Sequence, residues 1–134
     1  MAIYGIGAYY NGEEDVSEDF VSEGLACVGW DFETAPTLHV LLRQIKNGDI
    51  VYIKSTPIGQ GLRIKAVGIV VNNNLAENDD LGTCVTVRWL WAGNENLGDI
   101  NDKYNVRNNT LYEELNRDVQ SRVIDLLLSR ITSQ

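Results

Sequence analysis

Hydrophobic and polar positions alternate through the middle of the chain in a pattern that predicts β-strands. Two of the apolar runs flank a segment that contains Pro57, Gly59 and Gly61, which is typical of a hairpin turn. The run near the N-terminus is interrupted by Gly5 and Gly7, and glycine inside a strand often marks a close approach of the backbone. The predicted strands cover residues 2–10, 25–30, 49–55, 62–71 and 83–91.

Helical periodicity and capping signals predict helices in the other apolar segments. Pro36 suits the first turn of the clearest helix and Gly48 suits its end. Ser17 is a candidate cap for a shorter helix that ends at Gly24, and Asn116 is a candidate cap for the C-terminal helix. The predicted helices cover residues 17–24, 35–48, 109–116 and 116–131, and the predicted loops cover residues 71–82 and 92–109.

These elements together predict an α+β fold. The strands cluster in the middle of the chain and lack the regular strand–helix–strand alternation of α/β proteins. We therefore expect a small, curved or closed β-barrel of five or six strands, with helices packed on it and a C-terminal helix. A chain of 134 residues, 44% of them hydrophobic, suits a single domain that spans residues 1–134.

The net charge of −8 is distributed unevenly along the chain. Residues 1–42 carry eight acidic side chains and no lysine or arginine, whereas residues 43–76 hold five cations against Asp49 alone. An acidic total argues against broad, phosphate-driven binding of nucleic acid, which needs many cationic contacts. The basic middle leaves a local anionic ligand open, with Lys54 and Arg63 as candidate phosphate contacts. The same cations are also compatible with simple solvation of sheet edges.

Catalytic and metal-binding signals are sparse. Cys27 and Cys84 each lie inside an apolar run, so we expect two buried free thiols. One histidine and two distant cysteines provide no metal-binding spacing, and the sequence contains no cofactor-binding motif. His39 lies off the apolar stripe of its predicted helix, four residues before Arg43, and is expected to face solvent. A Ser-His-Asp triad is therefore not indicated.

The aromatic residues are the most distinctive chemical feature. Trp89 and Trp91 alternate onto one face of a predicted strand, Trp30 ends another strand, and Tyr52 lies within a third. Flat rings with a polar group suit stacking on a base or enclosing a methylated group. The same rings also suit the core of a small barrel, so both interpretations stay open at this point.

An ordered set of short motifs runs through the first two thirds of the chain. A first strand is followed by a Phe-Val…Gly unit that ends in Gly-Trp, then by a strand that opens with Gly-Asp, then by a strand of the form I-x-A-x-G-x-V. The residues concerned are Phe20, Val21, Gly24, Val28, Gly29, Trp30, Gly48, Asp49, Val51, Tyr52, Ile64, Ala66, Gly68 and Val70. This order resembles the PUA-like superfamily, and most closely its EVE/YTH-like branch, over about residues 3–91. The tail, residues 106–127, is similar to the end of domains found near prokaryotic restriction and defence genes.

The resemblance implies a barrel of five or six strands wrapped by helices, with a pocket that accepts a modified or flipped base. It also implies that Gly29 and Trp30 line that pocket. Trp89, Trp91 and Tyr52 are further candidates for the pocket, taken from the strand pattern rather than from a matching motif. Flipping a base costs a few kcal/mol, which stacking and hydrogen bonds to the base edge offset.

Three functional hypotheses follow. The first is a non-catalytic module that recognises a modified nucleobase or nucleotide through an aromatic pocket, in a bacterial or phage defence context. The second is an acidic protein-interaction module, a defence-system component or inhibitor, that does not bind nucleic acid. The third is an enzyme that uses Asp31, Asp49 or Glu33 as its acid or base.

The chain is expected to be cytoplasmic, with no cofactor and no metal ion. Its N-terminal segment has neither the basic start nor the apolar core of a signal peptide, and no apolar run approaches the ~20 residues that a membrane-spanning helix needs. The partners compatible with the sequence are a modified nucleotide, a nucleic acid or another protein, and not a membrane.

Overall fold

The structure is a computed structural model that describes residues 1–12, 14–57, 59–101 and 106–132. Residues 130–132 are described by their backbone only. The elements in chain order are β1 (Ile3–Gly7), β2 (Tyr9–Tyr10), β3 (Glu14–Asp15), α1 (Ser17–Glu23), β4 (Leu25–Val28), α2 (Pro36–Gln44), β5 (Ile50–Ser55), β6 (Leu62–Asn78), β7 (Gly82–Gly98), β8 (Leu111–Glu113) and α3 (Arg117–Thr132). Within the described part of the chain, no helix has the length and apolar character needed to cross a membrane.

Six of the strands form one curled sheet with the order β4-β7-β6-β5-β1-β8, which makes a half-barrel. β1 and β5 pair in parallel, and their neighbours in the sheet pair antiparallel. β2 and β3 form a separate two-stranded hairpin directly after β1. The prediction of a barrel-like α+β fold with a C-terminal helix is therefore confirmed.

Both faces of the sheet are covered by helices. Alternate residues of the strands point to opposite faces, so Tyr4 and Ile6 of β1 lie in one core cluster while Ile3 lies in the other. The first cluster also takes side chains from α1 and α2, and the second takes those of α3. The predicted apolar face of α3 is buried at Val119 and Val123, which are fully sealed.

Local signals account for the ends of the helices. Gly24 terminates α1 in the left-handed conformation with φ 69°, and Pro36 opens α2. The Asn116 side chain accepts hydrogen bonds from the backbone N–H groups of Asp118 and Val119 at 2.9 and 3.1 Å, so it caps α3 as predicted. Ser17 does not cap α1: the cap position is Val16, and the Ser17 hydroxyl donates a hydrogen bond to the Asp15 carboxylate at 2.6 Å.

The α2 helix ends at Gln44, earlier than the predicted end at Gly48. Beyond it the Asp49 carboxylate accepts hydrogen bonds from the backbone N–H groups of Lys46 and Ala2, at 2.9 and 3.0 Å. Asp49 thereby joins the turn before β5 to the start of β1. Gly48 lies in that turn with φ 91°, a conformation that favours glycine.

The strands β6 and β7 are longer than the alternation predicts, at 17 residues each. Residues 71–78 and 92–98 of the predicted loops continue the hairpin, because their backbone groups pair with the opposite strand even where the side chains are exposed, and residues 102–105 of the second loop lie outside the described residues. Asn78 makes the turn by accepting hydrogen bonds from the backbone N–H groups of Asp80 and Leu81, both at 3.0 Å. The polar composition of these segments correctly indicated that their side chains are mostly exposed, but it did not reveal that their backbones pair.

The predicted helix at residues 109–116 is wrong, since this segment contains β8. Its backbone pairs antiparallel with β1 and adds the last strand of the sheet, so that β8 and not β1 lies at this edge. Leu111 packs in the first core cluster and Tyr112 in the second, which is the alternation of a strand. Three residues are too few for that alternation to show in the sequence.

The prediction of two free thiols is also wrong. Cys27 of β4 and Cys84 of β7 are direct partners in the antiparallel register, with their Cα atoms 4.0 Å apart, and their sulfur atoms form a disulfide bond. The two residues are separated by 57 positions in the sequence, so only the strand pairing reveals that they meet.

Candidate functional site

The candidate site lies where the two parallel strands separate. β1 and β5 stay paired through Gly7 and Lys54, after which β1 leads into the β2–β3 hairpin and β5 continues towards Pro57. Chains that diverge at the carboxyl ends of parallel strands leave a crevice, which is a common place for ligands in sheet proteins. Two cavities occupy this crevice and share a wall formed by Gly7, Tyr9, Gly12 and Lys54.

The smaller cavity has a volume of about 360 Å³ and is called here the aromatic pocket. Trp30 and Tyr9 line it, with 55% and 63% of their surfaces exposed. Large aromatic side chains are mostly buried in folded proteins, so two exposed rings in one concave site are notable. The polar residues of the lining are Asn11, Lys54, Asn108 and Thr110.

A buried histidine holds the loop that carries Trp30. His39 of α2 is only 4% exposed, which corrects the prediction that it faces solvent. Its Nε2 atom donates a hydrogen bond to the Trp30 carbonyl oxygen at 2.6 Å, and its ring makes a T-shaped contact with Phe32. The Arg43 guanidinium also lies over the Phe32 ring, 5.3 Å from the ring centre. The backbone at Trp30 is therefore fixed while its side chain stays exposed.

Gly29 is required by close packing at the pocket wall. A Cβ atom at this position would lie 2.9 Å from the ring of Tyr10, a distance that real Cβ atoms essentially never show. The Tyr10 hydroxyl donates a hydrogen bond to the carbonyl oxygen of Leu81 at 2.6 Å, and burial raises the pKa of this hydroxyl. Tyr10 thus ties the β2–β3 hairpin to the end of β4 and to the turn between β6 and β7.

Lys54 lies at the boundary between the two cavities. It is half-buried, and its Nζ atom donates a hydrogen bond to the Arg107 carbonyl oxygen at 2.7 Å. Burial lowers the pKa of the Lys54 ammonium because it disfavours the charged form. A Cβ atom on Gly7 would lie 3.2 Å from Lys54 Cε, so glycine at this position leaves room for the lysine side chain.

A buried ion pair anchors the segment of residues 106–110, which supplies one wall of the pocket. The Arg107 guanidinium donates two hydrogen bonds to the Glu114 carboxylate, and these residues are 3% and 1% exposed. The backbone N–H of Gly7 also donates a hydrogen bond to the Thr110 carbonyl oxygen at 2.7 Å. The polar wall of the pocket is therefore connected to the core.

Tyr52 belongs to this buried network and does not line the aromatic pocket. Its ring is completely buried on the α3 side of the sheet. Its hydroxyl donates a hydrogen bond to Glu114 Oε1 at 2.6 Å and lies 2.7 Å from the Tyr112 hydroxyl. Burial, together with the neighbouring Tyr112 and Glu114, raises the pKa of the Tyr52 hydroxyl.

The two tryptophans of β7 also lie away from the pocket. An extra residue, Leu90, interrupts the register between Gly68–Trp89 and Val67–Trp91, so the two rings pack against different core clusters. The prediction that they share one face is therefore wrong. The Trp89 indole N–H donates to the carbonyl oxygens of Phe20 and Leu25, at 3.0 and 3.3 Å.

Arg63 does not border either cavity. Its guanidinium instead donates hydrogen bonds to the side-chain oxygens of Gln60 and Asn94, at 3.1 and 3.4 Å. Lys65, two positions further along β6, lines the larger cavity, which has a volume of about 590 Å³. Of these two cationic residues of β6, Lys65 and not Arg63 therefore borders a cavity.

The carboxylates considered as catalytic groups have structural contacts. Both oxygens of the Asp49 carboxylate accept backbone hydrogen bonds, as described above. Hydrogen bonds from Thr34 lower the pKa of the exposed Asp31 carboxyl, which favours its ionised form. Glu33 is exposed and lies outside both cavities. Among the residues that the structure describes, no group of His, Cys, Asp and Glu side chains is arranged to hold a metal ion.

No protein-family model matches the chain, and no curated protein is found to be similar to it. The class of the protein is therefore defined by its own fold and site. It is an α+β half-barrel with an aromatic pocket at the carboxyl ends of a parallel strand pair.

Proposed function

We propose that this protein is a non-catalytic binding module that takes a nucleobase, in a modified or flipped-out form, into the aromatic pocket. The observation that carries the proposal is the presence of two exposed rings, Trp30 and Tyr9, in one cavity of about 360 Å³. A volume of this size lies in the range of small-molecule sites, about 300–1,000 Å³. We also propose membership of the PUA-like superfamily, which the curled sheet and the position of Gly29-Trp30 beside the cavity support.

The chemistry of the pocket suits a planar, uncharged ring. Stacking of a base on an aromatic side chain contributes about 1–3 kcal/mol per base and tolerates any base, since every base has a π-face. Discrimination between bases then depends on hydrogen bonds to the base edge, for which Asn11, Asn108 and Thr110 provide donors and acceptors. Stacking requires no basic surface, so this mode of binding is compatible with a net charge of −8.

The proposal is tested by titrating the protein at low salt with the common nucleosides, their base-methylated forms and short oligonucleotides, using calorimetry. At least one base is expected to bind. Trp30→Ala is expected to weaken that binding by roughly 5- to 150-fold, which corresponds to the loss of one stacking contact of about 1–3 kcal/mol. Tyr9→Ala is expected to act in the same direction, because its ring lines the same cavity.

Leu115→Ala is the matched control, since Leu115 is a large, 71% exposed apolar side chain that lies outside both cavities. This variant is expected to bind as the wild type does. If Trp30→Ala keeps wild-type affinity for every base that binds, the pocket assignment is wrong. If no base or oligonucleotide binds at all, the function itself is wrong.

The second candidate function, an acidic protein-interaction module, is favoured by the exposed acidic surface of α1. Glu18, Asp19 and Glu23 all face solvent on this short helix. A basic partner would be captured at low salt and released as ionic strength rises, because exposed charges are screened beyond about 10 Å at 0.1 M salt. Capture that is insensitive to salt would argue against this alternative.

A further inference from the structure

The larger cavity has a different character from the aromatic pocket that it adjoins. Its walls come from the end of β5, the start of the β2–β3 hairpin and β6, and they include the hydroxyl groups of Ser55 and Thr56. Lys54 and Lys65 both border it, and among the residues that the structure describes the only carboxylate on its wall belongs to Asp15. The described wall of this cavity therefore carries an excess of positive charge in an otherwise acidic chain.

Lys65 forms an ion pair with Asp15 at the cavity wall, and its ammonium group can still bind a further anionic group. Lys65 Nζ lies 3.6 Å from Asp15 Oδ2, and the two side chains are 30% and 50% exposed. An exposed pair at this distance is weak, and an ammonium carries three N–H donors. Asp15 is held in place because its carboxylate also accepts hydrogen bonds from the backbone N–H and the hydroxyl of Ser17, at 2.9 and 2.6 Å.

The position of Lys54 connects the two cavities. Its ammonium uses one donor for the Arg107 carbonyl oxygen and lies on the wall that the aromatic pocket and the larger cavity share. A ligand whose ring fills the pocket would therefore meet Lys54 at the pocket's edge and Lys65 beyond it. Lysine is a common partner for phosphate as a compact point charge.

We infer that the larger cavity receives a phosphate group attached to the base that fills the aromatic pocket, so the ligand class is a nucleotide rather than a free base or nucleoside. The inference rests on the proposed function of the pocket. It adds Lys65 as a phosphate contact that determines specificity, whereas the sequence pattern had offered Lys54 and Arg63 as candidate phosphate contacts. Binding of the base then depends on stacking, and the preference for a phosphorylated ligand depends on Lys65.

The test compares the best-binding nucleoside with its 5′- and 3′-monophosphates by calorimetry at low salt. One of the two monophosphates is expected to bind about tenfold more tightly than the nucleoside, the gain that one charge-assisted contact of about 1.4 kcal/mol provides. Lys65→Gln is expected to remove this gain and to leave nucleoside binding unchanged, whereas Lys65→Arg keeps it. Lys46→Gln, at an exposed lysine outside both cavities, is the charge-matched control and is expected to keep the gain.

Asp15→Asn provides a test in the opposite direction. The amide oxygen can still accept the hydrogen bond from the Ser17 backbone, while the negative charge beside Lys65 is lost. Affinity for the monophosphate is expected to rise severalfold, with no change for the nucleoside. Circular dichroism and the melting temperature establish that each variant is folded.

The outcomes separate the two proposals. If the nucleoside and both monophosphates bind equally well, or if Lys65→Gln keeps the gain, the phosphate subsite is wrong and the base pocket stands. If neither the nucleoside nor the monophosphates bind to the wild type, the proposed function fails and the subsite with it.

Discussion

Glu114→Gln is expected to lower the free energy of unfolding by about 3–5 kcal/mol, the usual cost of removing one partner from a buried ion pair. The Glu114 carboxylate is 1% exposed and accepts hydrogen bonds from Arg107, from Tyr52 and from the backbone N–H of Asn116. Glutamine has nearly the same shape but lacks the negative charge that faces the Arg107 guanidinium. The measurement is the midpoint of urea unfolding at an unchanged slope.

Glu113→Gln is the matched control, because Glu113 is the preceding residue, at the end of β8, and is exposed. Substitutions at exposed positions without special contacts usually change stability by less than about 0.5 kcal/mol. An equally small loss for Glu114→Gln would contradict the structural role of the ion pair. The residues of this pair also border the segment that carries Asn108 and Thr110, so base binding is expected to weaken in Glu114→Gln and not in Glu113→Gln.

The second large effect concerns the disulfide between Cys27 and Cys84. A crosslink that spans 57 residues stabilises the native state by about 4 kcal/mol in the chain-entropy treatment, because it restricts the unfolded chain. Urea unfolding with and without reductant is expected to differ by an amount of this order. The double variant Cys27→Ala/Cys84→Ala is expected to be less stable than the oxidised protein and insensitive to reductant.

Thiol titration provides a direct control for this prediction. Protein unfolded without reductant is expected to show no reactive thiol, and two thiols are expected after reduction, one from each cysteine of the chain. Two thiols without reductant would contradict the disulfide and would support the free cysteines expected from the sequence.

Local sequence signals predicted the parts of the fold that depend on neighbouring residues. Gly24, Pro36 and Asn116 mark helix ends in the structure because capping depends on the conformation and hydrogen bonds of a few adjacent residues. Features that depend on distant pairing were not accessible in this way. The pairing of β8 with β1, the bulge at Leu90 and the disulfide all depend on which strands lie side by side.

In the candidate site, too, some residues could be predicted from the sequence and others could not. Gly29, Trp30 and Lys54, which the sequence analysis singled out separately, line one cavity in the structure. Tyr52 and Trp89 were candidates from the strand pattern, and they form hydrogen bonds inside the protein instead.

The remaining parts of the site come from segments without a motif. Tyr9 belongs to the predicted first strand, yet it follows the end of β1 and opens the short β2–β3 hairpin. Asn108 and Thr110 lie in a segment predicted to be part loop and part helix, and they reach the pocket because Arg107 and the backbone of Gly7 fix that segment. Convergence of this kind depends on tertiary structure, and the lining residues that the sequence indicated as parts of a site were Gly29, Trp30 and Lys54.

The most direct test of the base pocket is a nuclear magnetic resonance titration of ¹⁵N-labelled protein that follows the indole N–H signals of its three tryptophans. On addition of the nucleotide that binds, the Trp30 signal is expected to shift strongly, because a stacked base shields the indole ring. The Trp89 signal is expected to stay in place, since its N–H donates to carbonyl oxygens inside the protein. A bound nucleotide that leaves the Trp30 signal unchanged, or that shifts only Trp89 or Trp91, would contradict the account.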